Sequence, residues 1–258
     1  RKFVIPSRNG LQFCIYKNMI INYQKSPNFS KRSRKDIDIK IIVIHYTGMQ
    51  SKIESIKRLS SPKHKVSCHY LIDRKGQIIK MVEENKIAWH AGKSKWKNFS
   101  NINKNSIGIE LVNKGHEFGY ENFTNSQINN LIKLCLYLKK KFKVKNSNIL
   151  GHSDIAPLRK KDPGEKFPWQ KLKKNQLGLW YKVFKFRDKE MNVKKINKIF
   201  FRNLHKIGYR YFNLKKKTKN DIFVIKAFQR RFIPKKVSGL IDQKTFIISQ
   251  FLANASKN

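Results

Sequence analysis

Two histidines and one aspartate carry the chemistry most open to this chain. His45 closes the apolar run IIVIHY (Ile41 to Tyr46), and His152 and Asp162 lie together in GHSDIAPLRKKDP, with Lys160 two residues before the aspartate. Two imidazole nitrogens and a carboxylate oxygen form a donor set suited to a hydrolytic zinc. Three protein ligands leave one position open for water, whereas a structural zinc is closed by a fourth. Residue types alone do not make this trio unique. His64, His69, His90, His116 and His205 are not excluded by spacing, and Asp154 competes with Asp162.

The flanking segments read as elements able to hold such groups. IIVIHY is a short β-branched run typical of a strand buried on both faces, and its alternation puts Ile41, Val43 and His45 on one side. KIESIKRLS has helical spacing through Ile53, Ile56 and Leu59, and VSCHYLID with QIIKMV around Arg74-Lys75-Gly76 predicts a hairpin. SIGIELVN is a second buried strand: Ile107, Ile109 and Leu111 share one face, Gly108, Glu110 and Val112 the other. A carboxylate within such a run is anomalous, because burying an unpaired charge is costly; the small Gly108 beside it would leave room near the carboxyl. Thr124 and Gln127 form a capping box ahead of a long helix (Ile128, Leu131, Ile132, Cys135, Leu138). NILGHSD is a third strand, ending at His152. Strands alternating with helices imply an α/β architecture, a mixed central sheet flanked by helices. Residues 1–38 read as a polar, extended arm.

After about residue 180 the pattern changes. Residues 181–191 read as a linker and 192–255 as a small three-helix domain with its own apolar set (Ile199, Leu204, Phe223, Ile225, Phe228, Phe232, Phe246, Ile247), its last helix capped by Asp242. The catalytic part is accordingly residues 1–180.

The chain has 58 Lys+Arg against 16 Asp+Glu, a formal charge of +42. The lysines are spread along the whole length, which favours a Lys-, Asn- and Ile-heavy composition with solvated basic faces over a dedicated polyanion site. No nucleic-acid reader motif is present, so the charge does not indicate specific nucleic-acid binding. Cys14, Cys68 and Cys135 are odd in number and lack a CxxC pair, which argues against a disulfide framework or a thiolate zinc site. No apolar run reaches the ~18 residues needed to span a bilayer. The chain opens on Arg1 and not Met, as expected if a targeting segment once preceded it.

The strings VIHYT, VSCHYLIDRKG, AWHAG, SIGIELVN and GHSDIAPLRKKDPGEKFPW, over roughly residues 26–180, resemble in order and spacing the zinc-dependent N-acetylmuramoyl-L-alanine amidases of the type 2 family. The resemblance implies one Zn2+ held by His45, His152 and Asp162, Glu110 as general base, and Lys160 as transition-state stabiliser. Tyr46, Trp89 and His90 are implied to line the substrate cleft. Leu158 departs from the family, which usually has Gly there. LHKIGYRYF and AFQRRFIPKKVSGLIDQKTF resemble a three-helix peptidoglycan-binding module, with Ser238 in place of the usual Asp. That module is characteristic of the periplasmic or envelope-associated branch more than of the cytoplasmic one. The expected partners are peptidoglycan and muropeptides, and the expected reaction is hydrolysis of the amide between N-acetylmuramic acid and L-alanine. A non-catalytic peptidoglycan-recognition protein is the alternative; a lost ligand would mark it, and here all three positions are filled.

Overall fold

The computed structural model describes residues 3–6, 12–16, 19–182 and 193–255. Its centre is an eight-stranded mixed sheet. In chain order the strands are β1 (Phe3–Pro6), β2 (Gln12–Tyr16), β3 (Met19–Tyr23), β4 (Ile41–Tyr46), β5 (Tyr70–Ile72), β6 (Ile78–Lys80), β7 (Ser106–Leu111) and β8 (Ile149–Gly151). They lie side by side as β1-β2-β3-β6-β5-β7-β4-β8. The four strands β5, β7, β4 and β8 run parallel to one another, and β5–β6 is the expected antiparallel hairpin.

Parallel strands need cover on both faces, which is why β4 and β7 are almost continuously apolar. On one face Ile42, Ile44, Ile107, Ile109 and Leu111 pack against α2 (Asn125–Phe142) through Leu131, Leu134, Cys135 and Leu138. The capping box at Thr124 and Gln127 forms as the sequence indicates, each side chain accepting from the other's backbone N–H. On the other face Ile41, Val43 and Leu150 share a single apolar cluster with the three C-terminal helices α5 (Val193–Ile207), α6 (Asp221–Phe232) and α7 (Gln243–Ala255). Asp242 caps α7 through the backbone N–H and hydroxyl of Thr245. Among the described residues no helix is long and apolar enough to cross a membrane.

The helices α1 (Lys52–Ser60), α3 (His152–Ile155) and α4 (Trp169–Lys174) complete the layers. Several expectations are corrected here. The N-terminal segment is not a free arm: β1–β3 extend the sheet, β3 pairing in parallel with β6. Downstream, Ser26 Oγ donates to the Leu59 carbonyl, Asn28 Nδ2 donates to the carbonyls of Ser61 and Val66, and buried Arg34 donates to those of Glu84, Asn103 and Lys104. Ile53 is 66% exposed, because the first turn of α1 lies outside the small cluster around Leu59, Leu71 and Met81. Phe223 is 45% exposed while its neighbour Val224 is sealed; the buried stripe of α6 is Val224, Ile225, Phe228 and Phe232. Most of the linker lies outside the described residues.

Asp154, the rival to Asp162 in the sequence, has a different task. It is buried at the start of α3 and takes the Arg231 guanidinium from α6, the Tyr209 hydroxyl (2.6 Å) and the Gly151 N–H (2.8 Å). Arg231 also lies over the Trp169 ring, 3.9 Å from its centroid, and donates to the Ile149 carbonyl. Both oxygens of this buried carboxylate are engaged and its charge is met by Arg231, so it is not turned toward the histidine pair. Arg231→Met is expected to lower unfolding stability by about 3–5 kcal/mol, because it leaves the Asp154 charge buried without its counterion. Tyr209→Phe should cost less, about 1–3 kcal/mol; denaturant unfolding followed by circular dichroism measures both.

Candidate metal centre and active site

Strand register assembles the site. β8 pairs with β4 so that Gly151 lies opposite Ile44, which sets His152, the next residue, beside His45. β7 pairs with β4 on the other side with Glu110 opposite His45. His152, His45 and Glu110 therefore form a row across the carboxyl ends of three adjacent parallel strands, where α/β sheets collect their functional groups. Asp162 arrives from the following loop. Its carbonyl accepts from the Ser153 N–H at 2.9 Å, and Gly151 leaves space for the next residue: a Cβ there would lie 2.6 Å from Pro163 Cδ.

The donor atoms converge. His45 Nδ1, His152 Nδ1 and Asp162 Oδ2 are separated by 2.9, 3.0 and 3.1 Å, and the three residues are 1%, 3% and 5% exposed. They constitute the one group of three such ligands found among the described residues. The donors fit a zinc ion. Bonds of ~2.0–2.2 Å to two imidazoles and a carboxylate are compatible with a triangle of this size. His152 Nε2 lies 3.2 Å from the Ala91 carbonyl, which can only accept, and at the longer distance of 3.4 Å from Arg159 Nη2; with the proton on Nε2 for the nearer contact, the Nδ1 lone pair faces the cluster. Burial, with His152 adding to it, holds His45 down at about 4, so it is neutral at physiological pH.

A cavity of about 400 Å³ opens over this centre, bordered by Tyr46, Trp89, Glu110, Lys160 and Asp162. Glu110 Oε2 is buried with no hydrogen-bond partner. Burial, reinforced by the Asp162 charge and opposed by Lys160, pushes its carboxyl up to about 8. A bound cation would act in the opposite direction and favour the carboxylate. The room made by Gly108 is not beside this carboxyl, as the sequence suggests, but under His90: a Cβ at Gly108 would meet that ring at 2.4 Å. His90 does border the cavity, yet both its nitrogens are engaged inward, Nδ1 with His45 Nε2 at 3.0 Å and Nε2 with Ser106 Oγ at 3.1 Å. Trp89 is held by its indole N–H on Ser30 Oγ.

Two residues at the mouth were not picked out by sequence reasoning. His116 Nδ1 accepts from the Tyr46 hydroxyl at 2.8 Å, and His116 Nε2 meets Glu165 at 3.1 Å. The His116 hydrogen bond holds the Glu165 carboxyl below its ordinary value, and Arg230 from α6 lies 3.5 Å from it. Tyr120 stacks on His116 and donates to the Pro163 carbonyl at 2.7 Å, tying this network to the loop that carries Asp162. His116 was open as one of many histidines; for Glu165 there was no signal beyond its place after Asp162-Pro163-Gly164.

Comparison with known proteins agrees with this geometry. A sequence profile of the N-acetylmuramoyl-L-alanine amidases matches residues 35–165, a stretch containing His45, Glu110, His152, Lys160 and Asp162. The chain is 38% identical over 154 residues to the N-acetylmuramoyl-L-alanine amidase AmiD of Escherichia coli, the match covering 55% of each protein. It is 33% identical over 165 residues to the 1,6-anhydro-N-acetylmuramyl-L-alanine amidase AmpD of Haemophilus influenzae, covering 57% of this chain and 87% of AmpD. The crystal structure of E. coli AmiD with anhydro-N-acetylmuramic acid-L-Ala-D-gamma-Glu-L-Lys superposes with a TM-score of 0.74 at 28% identity, covering 98% of this chain and 97% of AmiD's. AmpDh3 of Pseudomonas aeruginosa gives 0.73 at 27% identity, over 89% of this chain and 95% of the other. The chain belongs to the N-acetylmuramoyl-L-alanine amidase family.

Proposed function

We propose that this chain is a zinc-dependent amidase that hydrolyses the amide between the lactyl group of N-acetylmuramic acid and L-alanine, in peptidoglycan or its muropeptide fragments. The observation that carries the reading is the convergence of His45 Nδ1, His152 Nδ1 and Asp162 Oδ2 beneath a cavity also lined by Glu110, whose Oε2 is buried without a partner. Zinc held there supplies Lewis acidity, polarising a carbonyl oxygen and acidifying water. Glu110 is assigned as general base: it takes the proton of the attacking water and passes it to the leaving amine, a task suited to a carboxyl raised by burial. Lys160 borders the same cavity and puts fixed positive charge where the tetrahedral oxyanion develops. Tyr46 and Trp89 form walls against which the muramyl and peptide parts lie. Stem peptides carry free carboxylates, and the basic surface favours their capture.

The C-terminal helices are assigned to wall adhesion, as residues 192–255 behind the catalytic residues 1–180. A groove of about 1110 Å³ runs between α5, α6 and the loops beside them, lined by the apolar Leu214, Ile222 and Ile225 and the basic Lys198, Arg202, Lys215 and Lys217. Ser238, where the module usually has Asp, still organises its turn: its hydroxyl accepts from the Leu240 N–H. A second point of attachment raises the effective concentration of cleavable bonds on a polymeric substrate. The resemblance of this module to those of envelope amidases supports a location in the periplasm or at the cell envelope.

Purified protein loaded with zinc is expected to release free stem peptides from sacculi or muropeptides, detected by mass, and to lose the activity on chelation. Glu110→Gln should lower kcat by about 10²–10⁴ with zinc retained, and Lys160→Ala by about 10²–10³; full activity in either variant removes that assignment. The apoprotein should also be acid-sensitive. His45 and His69 are held by burial at about 4 and about 3, below the 6.5 of a free imidazole. Their stabilising contribution is therefore complete above pH 6.5 and lost as pH falls toward the folded values. Each costs on the order of 2 kcal/mol at pH 5. Thermal unfolding of the apoprotein between pH 7 and 5 should show a falling Tm; a flat profile would mean these imidazoles are not buried neutral.

A further inference from the structure

The hydrogen-bond directions behind His45 define a relay whose far end is a backbone carbonyl. Ser106 Oγ lies 2.7 Å from the Ile102 carbonyl oxygen and 3.1 Å from His90 Nε2. The carbonyl can only accept, so the single hydroxyl proton goes to it, and Ser106 Oγ accepts from His90 Nε2. His90 then has its lone pair on Nδ1, which lies 3.0 Å from His45 Nε2. His45 must donate across that contact. Its own lone pair is left on Nδ1, the atom 2.9 Å from His152 Nδ1 and 3.1 Å from Asp162 Oδ2.

We propose that His90 and Ser106 are positioning residues that lock His45 as its Nε2–H tautomer, with Nδ1 turned to the metal, and so set the zinc affinity of the site. The inference rests on the zinc reading above and deepens it: both His90 nitrogens are engaged within the protein, so it acts on the metal through His45. A second observation supports the relay independently of hydrogen-bond direction. β7 passes so close to the His90 ring that a Cβ at Gly108 would lie 2.4 Å from it. The ring stands edge-on to His45 with centroids 5.1 Å apart and is 8% exposed. A side chain free to swing into the cleft toward a ligand would not need its back wall shaved to glycine.

His90→Phe fills the volume without an acceptor, His90→Asn restores an acceptor at the Nδ1 position through its carboxamide oxygen, and Ser106→Ala removes only the end of the relay. Zinc affinity is read by competition with a chromophoric chelator, and ligand geometry by the visible bands of the cobalt-substituted protein. His90→Phe is expected to weaken zinc binding about 10–100-fold and to alter the cobalt bands. His90→Asn should recover most of that affinity, and Ser106→Ala should show a smaller loss in the same direction. Wild-type affinity and unchanged bands in both His90→Phe and Ser106→Ala would overturn the relay. Should His90→Phe fail to fold, Ser106→Ala decides alone: wild-type affinity in it overturns the relay, weaker binding supports it. A wild-type protein that binds no zinc would instead overturn the amidase reading along with it, so the two failures are distinguishable.

Discussion

At the floor of the cleft, His45 Nδ1, His152 Nδ1 and Asp162 Oδ2 stand 2.9–3.1 Å apart, and the protons that could reconcile them point elsewhere. His152 Nε2 faces the Ala91 carbonyl, and the proposed relay puts the His45 N–H on His90. Three acceptors facing one point, out of water, repel one another unless a cation lies between them. Much of the surrounding structure is explained by the need to hold that arrangement. Parallel register brings the two histidines side by side, glycine at 151 lets the Asp162-Pro163 loop close down, and glycine at 108 lets His90 stand behind His45.

The scarcity of acidic residues sharpens this picture. With 16 carboxylates among 258 residues, those that are buried occupy built sites. Asp162 faces the candidate metal centre, Asp154 fastens α3 to the C-terminal helices through Arg231 and Tyr209, and Glu84 pairs with Lys80 and accepts from the Tyr70 hydroxyl. Glu110 is the exception, with one oxygen sealed and unpaired. A polar atom left unsatisfied in a fold that elsewhere pairs its buried charges points to chemistry. The C-terminal helices are tied into the same framework. They share a core with β4 and β8, and Arg230 reaches the Glu165–His116–Tyr46 network at the mouth of the cleft.

Much of this is legible in the amino-acid sequence. The strands carrying His45 and Glu110, the hairpin, the long capped helix and the three C-terminal helices follow from periodicity and caps, because local hydrophobic pattern and local hydrogen bonding decide them. The grouping of His45, His152 and Asp162 was only one of several possibilities on residue types, and resemblance to a family selected it. What stayed hidden depends on pairing across the chain. β3 joins the sheet by a parallel contact with a strand more than fifty residues away, a pairing that a five-residue segment does not advertise. Asp154 was a plausible ligand until Arg231 arrived from α6. His90 could be placed near the cleft but not oriented, because its direction is set by Ser106 and Gly108 on a different strand.

X-ray absorption at the zinc edge of the purified, zinc-loaded protein tests the central claim most directly. The expected spectrum has a nitrogen/oxygen shell at ~2.0–2.2 Å, outer-shell scattering from two imidazoles and no sulfur. A sulfur shell at ~2.3 Å, or scattering from one imidazole or from more than two, would contradict a centre built from His45, His152 and Asp162.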